Sequence, residues 1–174
     1  VLGWELNNNQ VLWPNLGFSS FDISSNPELE PTHVIQELDV DINTAIEDGH
    51  NVCLVGHSIG GYYAAYMAQR YKLPAILVNP LVNPYDSLFL NSVLEDSPDL
   101  ELIKTQLRDL ETVTTDPGRI MVMLQKKDLL QDYRKAIEYY KDSNQIILNG
   151  GSHEFDSLAD WVQPMVGFFT SHYE

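Results

Sequence analysis

Short apolar segments rich in β-branched residues alternate along this chain with longer segments of helical periodicity. The apolar segments are residues 10–13, 52–56, 75–79, 120–125 and 145–148. The helical segments are residues 31–48, 59–71, 99–112, 130–141 and 156–169. Nearly continuous apolarity in short strands is typical of a parallel sheet that is buried on both faces. The alternation therefore predicts an α/β fold, with a mostly parallel sheet and helices on both of its faces.

The size of the chain indicates how many domains it forms, and its charge excludes some classes of partner. Its 174 residues, 44% of them apolar, predict one domain with a hydrophobic core over residues 1–174. The 25 acidic residues against 10 basic ones give a formal net charge of −15, which repels nucleic-acid phosphates and anionic membrane surfaces. No apolar run approaches the roughly 20 residues that span a bilayer. We therefore expect a small-molecule substrate, no nucleic-acid partner and no membrane span, with the oligomeric state left open.

A single cysteine, Cys53, lies within an apolar segment. One cysteine cannot form an internal disulfide, so the sequence carries no sign of a secreted, disulfide-rich scaffold. This favours a cytoplasmic location.

The sequence Gly56-His57-Ser58-Ile59-Gly60 lies between a predicted buried strand and an Ala-rich helix. Strand, Gly-x-Ser-x-Gly and helix together are typical of a nucleophile elbow, a sharp turn that exposes a serine at a helix N-terminus. Side chains two positions to either side of the serine are expected to collide in such a turn, which would require glycine there. The pattern predicts Ser58 as a nucleophile and the Ile59 backbone N–H as an oxyanion donor. The alternative is a glycine-rich turn without chemistry.

A serine nucleophile needs a base, and the base needs an orienting acid. On this type of sheet the acid and the base follow the nucleophile in the order Ser, Asp or Glu, His. His153 follows the last predicted strand in a glycine-rich loop and is the predicted base. Asp128 and Asp132 both follow the strand at 120–125, and we favour Asp128 because Asp132 falls near a helix start, where it can simply favour the helix dipole. Asp116 precedes Pro-Gly and is interpreted as a turn residue.

Residues 86–116 form a long connection between two predicted strands. One interpretation is a small helical cap over the strand ends, which would bring apolar side chains to the substrate: Leu88, Phe89, Val93 and Leu94. The other is an ordinary crossover helix with a long lead-in, in which these side chains only pack against the sheet.

Several motifs are more particular than Gly-x-Ser-x-Gly. They are Gly56-His57-Ser58-Ile59-Gly60-Gly61-Tyr62-Tyr63-Ala64, Leu73-Pro74-Ala75 with Val78-Asn79-Pro80, Asp132-Tyr133-Arg134-Lys135-Ala136 with Tyr139-Tyr140, and Gly150-Gly151-Ser152-His153. With these motifs the chain resembles the α/β-hydrolase superfamily, and within it the small bacterial YqiA-type serine esterases, over residues 4–169.

The resemblance implies nucleophile, acid and base at Ser58, Asp128 and His153. It also implies hydrolysis of carboxylic esters of small to medium acyl groups through an acyl-enzyme, with no metal and no organic cofactor. A catalytically weak or silent binding protein of the same fold remains open, as does a thioesterase or acyltransferase that uses the same triad.

The sequence departs from that family at its N-terminus. The family begins with a strand ending in His-Gly-Phe, whose backbone amide supplies the second oxyanion donor, and no such sequence occurs here. Asn15-Leu16-Gly17-Phe18 is superficially similar. It follows Val11-Leu12-Trp13-Pro14, however, and better suits the next strand of the family's fold and the loop after that strand. We therefore expect that this sequence lacks the N-terminal strand of the fold and that the second oxyanion donor comes from an upstream segment. Without that donor, we expect the 174 residues to hydrolyse esters slowly.

Overall fold

The computed structural model describes residues 30–87, 91, 97–110 and 116–173. Within these residues strands and helices alternate. The strands are β1 (Leu54–His57), β2 (Ala75–Val78), β3 (Ile120–Gln125) and β4 (Asn144–Leu148). The helices are α1 (Pro31–Glu47), α2 (Ile59–Tyr71), α3 (Leu100–Asp109), α4 (Tyr133–Tyr139) and α5 (Val162–Thr170). Short 3₁₀ turns occupy Pro84–Asp86, Pro117–Arg119 and Leu158–Trp161.

The strands form one parallel sheet in the order β1-β2-β3-β4. All four residues of β2 are buried, as expected for a central strand covered on both faces. Because the strands are parallel, their carboxyl ends lie along the same edge of the sheet. The predicted α/β architecture is confirmed.

Helices cover both faces of the sheet. Helices α2 and α4 pack on one face through a cluster that includes Ala64, Leu77 and Val122. Helix α5 packs on the other face, where Met165 meets Ile76. A further apolar cluster joins α1, α2 and α3 to one another. This packing fixes the strand ends, and with them the loops that leave the sheet.

Two helices begin later than their periodicity predicts. The predicted helix at 130–141 is α4, which begins at Tyr133 because the preceding backbone amides bond to the side chain of Asp128 instead of to a helix. The predicted helix at 156–169 starts with the 3₁₀ turn Leu158–Trp161 and becomes α-helical only at Val162. The predicted strand at 10–13 lies outside the described residues.

Candidate active site

Ser58 occupies a sharp turn between the end of β1 and the start of α2. Its backbone has φ 54° and ψ −123°, a conformation that a residue with a side chain rarely adopts. Hydrogen bonds hold the turn in place: the Ser58 N–H donates to the Val78 carbonyl (3.1 Å), and the Ser58 carbonyl accepts from Gly61 N and Leu81 N. The strain is therefore compensated by neighbouring backbone, and the serine side chain projects from the strand end as an elbow requires.

The steric need for glycine around Ser58 is only partly as predicted. A Cβ at Gly56 would lie 2.2 Å from the Gly60 carbonyl oxygen, so glycine is required there. A Cβ at Gly60 would meet no atom within 4 Å in the described part of the chain beyond its own helix, so the collision predicted for that position is wrong. The tight position is Gly61, where a Cβ would lie 2.8 Å from the Cβ of Pro80.

The structure brings Ser58, His153 and Asp128 into one hydrogen-bonded line. Ser58 Oγ lies 2.9 Å from His153 Nε2, and His153 Nδ1 lies 2.8 Å from Asp128 Oδ2. The side chains of His153 and Asp128 are only 10% and 2% exposed, so the pair is shielded from water. The second oxygen, Asp128 Oδ1, accepts from the backbone N–H groups of Leu130 (2.8 Å) and Gln131 (3.0 Å). Both carboxylate oxygens are thereby held in place.

Asp132 has a different position. It begins α4 as its N-terminal cap, where its side chain accepts from the backbone N–H of Arg134 and pairs with the guanidinium of the same residue (2.8 Å). These hydrogen bonds with Arg134 lower the pKa of the Asp132 carboxyl. Asp116 pairs with Arg119 at 3.0 Å, three residues along the chain. Neither carboxylate is recorded in contact with His153.

The loop that carries His153, residues 152–156, is bound by side chains from the ends of β2 and β3. Asn79 Nδ2 donates to the carbonyls of Ser152 (3.0 Å) and His153 (2.9 Å), while Asn79 Oδ1 accepts from Gln125 N (2.9 Å). Gln125 Oε1 accepts from the backbone of Ser152 (3.0 Å) and Asp156 (2.8 Å), and its Nε2 donates to the Asp156 carbonyl (2.9 Å). We call these contacts the strand-end network. It ties the position of His153 to the register of the sheet.

A glycine and a second histidine complete the support of this loop. Gly151 has φ +77°, and a Cβ there would lie 2.0 Å from Gln125 Oε1, so a side chain would displace Gln125 from the network. His57 Nε2 lies 2.7 Å from the His153 carbonyl oxygen. Burial lowers the pKa of His57, which favours a neutral ring that donates this hydrogen bond. His57 thus contacts the backbone of His153, and no hydrogen bond to the Ser58 hydroxyl is recorded for it.

Residues to which the sequence assigned no role complete the surroundings of Ser58, among them Asn79 of the Val78-Asn79-Pro80 motif. Asn79 and Gln125 are buried polar residues at the ends of apolar strands, and this placement in the sequence could have identified them as candidate site residues. Gln131 Nε2 lies 3.0 Å from Ser58 Oγ, and the sequence around Gln131 contains no comparable sign of a role at the site.

The remaining predicted site residues are placed as follows. The Ile59 N–H lies in the first turn of α2, where backbone amides have no acceptor within the helix. Leu88, Phe89, Val93 and Leu94 lie outside the described residues. Of the segment 86–116, α3 is described, and it packs against α1 and α2 through Ile103 and Leu107.

A few further properties bear on the chemistry. In the described ranges, no group of three or more His, Cys, Asp or Glu side chains could hold a metal ion. None of the described helices combines the length and apolarity needed to cross a membrane. Burial raises the pKa of Cys53 to about 11, so its thiol is protonated at neutral pH and is a poor alternative nucleophile.

The sequence and the fold can be compared with known proteins. The profile described as "Uncharacterised protein family (UPF0227)" matches residues 22–170. The chain belongs to the UPF0227 family. The α/β-hydrolase fold that the motifs predicted is confirmed.

Solved structures resemble this UPF0227 member at low sequence identity. A putative hydrolase from Agrobacterium vitis S4 has a TM-score of 0.67 at 13% identity, covering 95% of this chain and 81% of that one. Est1E from Butyrivibrio proteoclasticus, solved with ferulic acid bound, has a TM-score of 0.59 at 16% identity, covering 83% and 69%. An alpha-beta serine hydrolase homologue from Coxiella burnetii has a TM-score of 0.52 at 15% identity, covering 87% and 63%, so this chain spans less than two thirds of that protein. These similarities show the fold.

Proposed function

We propose that this protein is a serine hydrolase that cleaves carboxylic esters through an acyl-enzyme on Ser58. The observation that carries the proposal is the line from Ser58 Oγ through the His153 ring to Asp128, with distances of 2.9 Å and 2.8 Å. A hydroxyl becomes a competent nucleophile when a neutral imidazole accepts its proton and a carboxylate holds that imidazole in the correct tautomer.

The chemistry follows from these contacts in two steps. In acylation, Ser58 Oγ bonds to the ester carbonyl carbon while its proton passes to His153 Nε2, and the alcohol then leaves with that proton. In deacylation, His153 takes a proton from water, water attacks the acyl carbon, and Ser58 Oγ departs and regains its proton. The Ile59 N–H supplies one donor to the oxyanion that forms in each step. Asp128 stabilises the imidazolium in both steps.

The proposed substrates are esters with small to medium acyl groups. On the loop after β3, Leu129 is 94% exposed and Leu130 is 49% exposed, on the turn that carries Asp128. Leu130 directly precedes Gln131, whose side chain contacts Ser58 Oγ, so an exposed apolar side chain on this turn can contact a short acyl chain. The predicted contacts from Leu88, Phe89, Val93 and Leu94, and the role of residues 86–116 as a cap, stay predictions. So does a cytoplasmic location.

The test is covalent labelling by a fluorophosphonate probe, followed by intact mass. We expect the chain to gain one adduct and to hydrolyse a p-nitrophenyl ester, and Ser58→Ala to lose both, because the substitution removes the oxygen that His153 contacts. Ser171→Ala is the matched control, since the Ser171 hydroxyl bonds to the Phe168 carbonyl at the end of α5. Labelling that survives in Ser58→Ala would refute the assignment. A chain that is labelled but hydrolyses only thioesters would support the thioesterase alternative.

A further inference from the structure

Gln131 contacts the proposed nucleophile with a hydrogen-bond donor, whereas the base contacts it with an acceptor. Gln131 Nε2 lies 3.0 Å from Ser58 Oγ. Its backbone N–H donates to Asp128 Oδ1 at 3.0 Å, and the other oxygen of that carboxylate lies against His153. The turn that holds the acid therefore also holds Gln131 at the serine.

The hydrogen bonds around Ser58 Oγ can be assigned by counting donors and acceptors. A carboxylate only accepts, so Asp128 holds the proton of His153 on Nδ1, and Nε2 is the nitrogen that accepts from Ser58 Oγ. The amide nitrogen of Gln131 only donates, so it must bond to a lone pair of Ser58 Oγ. The hydroxyl proton of Ser58 is then directed to His153 Nε2, which is the transfer that acylation requires.

We propose that Gln131 is a catalytic residue that donates a hydrogen bond to Ser58 Oγ and stabilises that oxygen as the leaving group of deacylation. This inference rests on the proposed function. When the tetrahedral intermediate of deacylation collapses, the bond between Oγ and the acyl carbon breaks, its electron pair goes to Oγ, and His153 returns the proton. Negative charge grows on Oγ in this step, and a fixed donor lowers the barrier.

The acylation step responds differently to the same hydrogen bond. There Oγ is the attacking atom, and a donor on its lone pair both orients the hydroxyl and weakens its nucleophilicity. These two effects oppose each other, so removal of the donor changes the rate of attack little. Loss of Gln131 should therefore slow deacylation selectively, which a merely structural role would not do.

The experiment compares Gln131→Met, Gln131→Glu and the control Asp132→Asn. Methionine keeps the length of the side chain but has no donor, and we expect kcat on a p-nitrophenyl ester to fall by about 10². Intact mass should show acyl-enzyme accumulating during turnover, while the rate of fluorophosphonate labelling stays within about threefold of the original. Asp132→Asn keeps the helix cap and does not touch Ser58, so it should leave all these readouts unchanged.

Gln131→Glu supplies an electrostatic readout. A carboxylate next to Ser58 lies close to His153 and favours its charged form, so the pKa that governs the acidic limb of the pH–rate profile should rise. Gln131→Met should leave that limb in place.

Either of two results would overturn the proposal for Gln131 alone. The first is Gln131→Met with unchanged kcat and no accumulated acyl-enzyme. The second is an equal loss of kcat and of labelling rate, with a lowered unfolding temperature, which would make Gln131 structural. If the unsubstituted chain is neither labelled nor active on esters, the proposed function fails and this inference fails with it.

Discussion

At the scale of single residues, Asp128 is the most constrained group of the site. One carboxylate oxygen accepts two backbone N–H groups and the other faces the imidazole of His153. The carboxylate can therefore turn neither toward solvent nor away from the ring. Asp132, four residues later, is the appropriate comparison, because it lies in the same connection between β3 and α4 and has a different set of partners.

Substitution of these two residues separates their roles. We expect Asp128→Asn to lower turnover by about 10⁴, because an amide N–H facing Nδ1 favours the imidazole tautomer that cannot accept the serine proton. Asp132→Asn should stay near the original rate, since asparagine caps a helix as well as aspartate does and the Asp132 side chain is bonded to Arg134. The measurement is kcat/KM on one p-nitrophenyl ester at equal folded concentration. A severe loss in Asp132→Asn together with a mild one in Asp128→Asn would contradict the assignment of the acid.

At the scale of elements, the ends of the strands hold the loop of His153. Asn79 is 2% exposed and Gln125 is 4% exposed, and buried polar side chains of this kind are costly unless every donor and acceptor is paired. Both are fully engaged with the loop or with each other. The loop is thus attached to the ends of β2 and β3 by side-chain hydrogen bonds.

Removal of one member of the strand-end network should loosen the base. Asn79→Ala leaves the Gln125 N–H without its partner, which we expect to cost about 1–3 kcal/mol of stability. Displacement of His153 should also lower turnover by about 10². Asn149→Ala is the control, because its side chain accepts a hydrogen bond from the exposed amine of Lys126 and is not part of the strand-end network. Denaturant unfolding and kcat measure the two effects, and a fully active Asn79→Ala would show that the network does not position the base.

The elbow gives a second test at this scale, with two adjacent glycines that differ in their surroundings. Gly60→Ala should be neutral or stabilising by about 0.5–1 kcal/mol, since alanine is the better helix former and none of the described residues outside the helix lies within 4 Å of a Cβ at Gly60. Gly61→Ala should destabilise by about 1–3 kcal/mol, because its Cβ would overlap Pro80. The measurement is urea unfolding of both variants. Equal stability of the two would mean that α2 can move away from Pro80.

At the scale of the whole molecule, the main electrostatic feature is the formal net charge of −15. Mutual repulsion of like charges destabilises a compact state and is screened by salt. We expect the unfolding temperature at about pH 7.5 to rise by a few degrees when NaCl is raised from about 10 mM to about 150 mM. The increase should be smaller at about pH 5, where part of the carboxylates are protonated. A rise of the same size at both pH values would indicate that salt acts through something other than net charge.

The sequence by itself predicted the order of strands and helices, and it named Ser58, His153 and, in preference to Asp132, Asp128 as the candidate triad. Burial on both faces of a parallel sheet leaves a local trace in short apolar runs, and amphipathic helices leave another. The triad followed because parallel strands bring their carboxyl ends to one edge, so Ser58, Asp128 and His153 had to emerge on the same side. These inferences needed only the local pattern and the direction of the strands.

The tertiary structure alone decided how the site is held. Gln131 and Ser58 are 73 residues apart in sequence, and no local pattern records which distant side chain a loop will meet. The same holds for Gly61, whose need for glycine comes mainly from Pro80 on a neighbouring segment. The start of α4 depended on a competition between the Asp128 carboxylate and a helix for the same backbone amides. Such contacts are set by sheet register and loop path, because hydrogen bonds and close packing require distances that only the folded chain fixes.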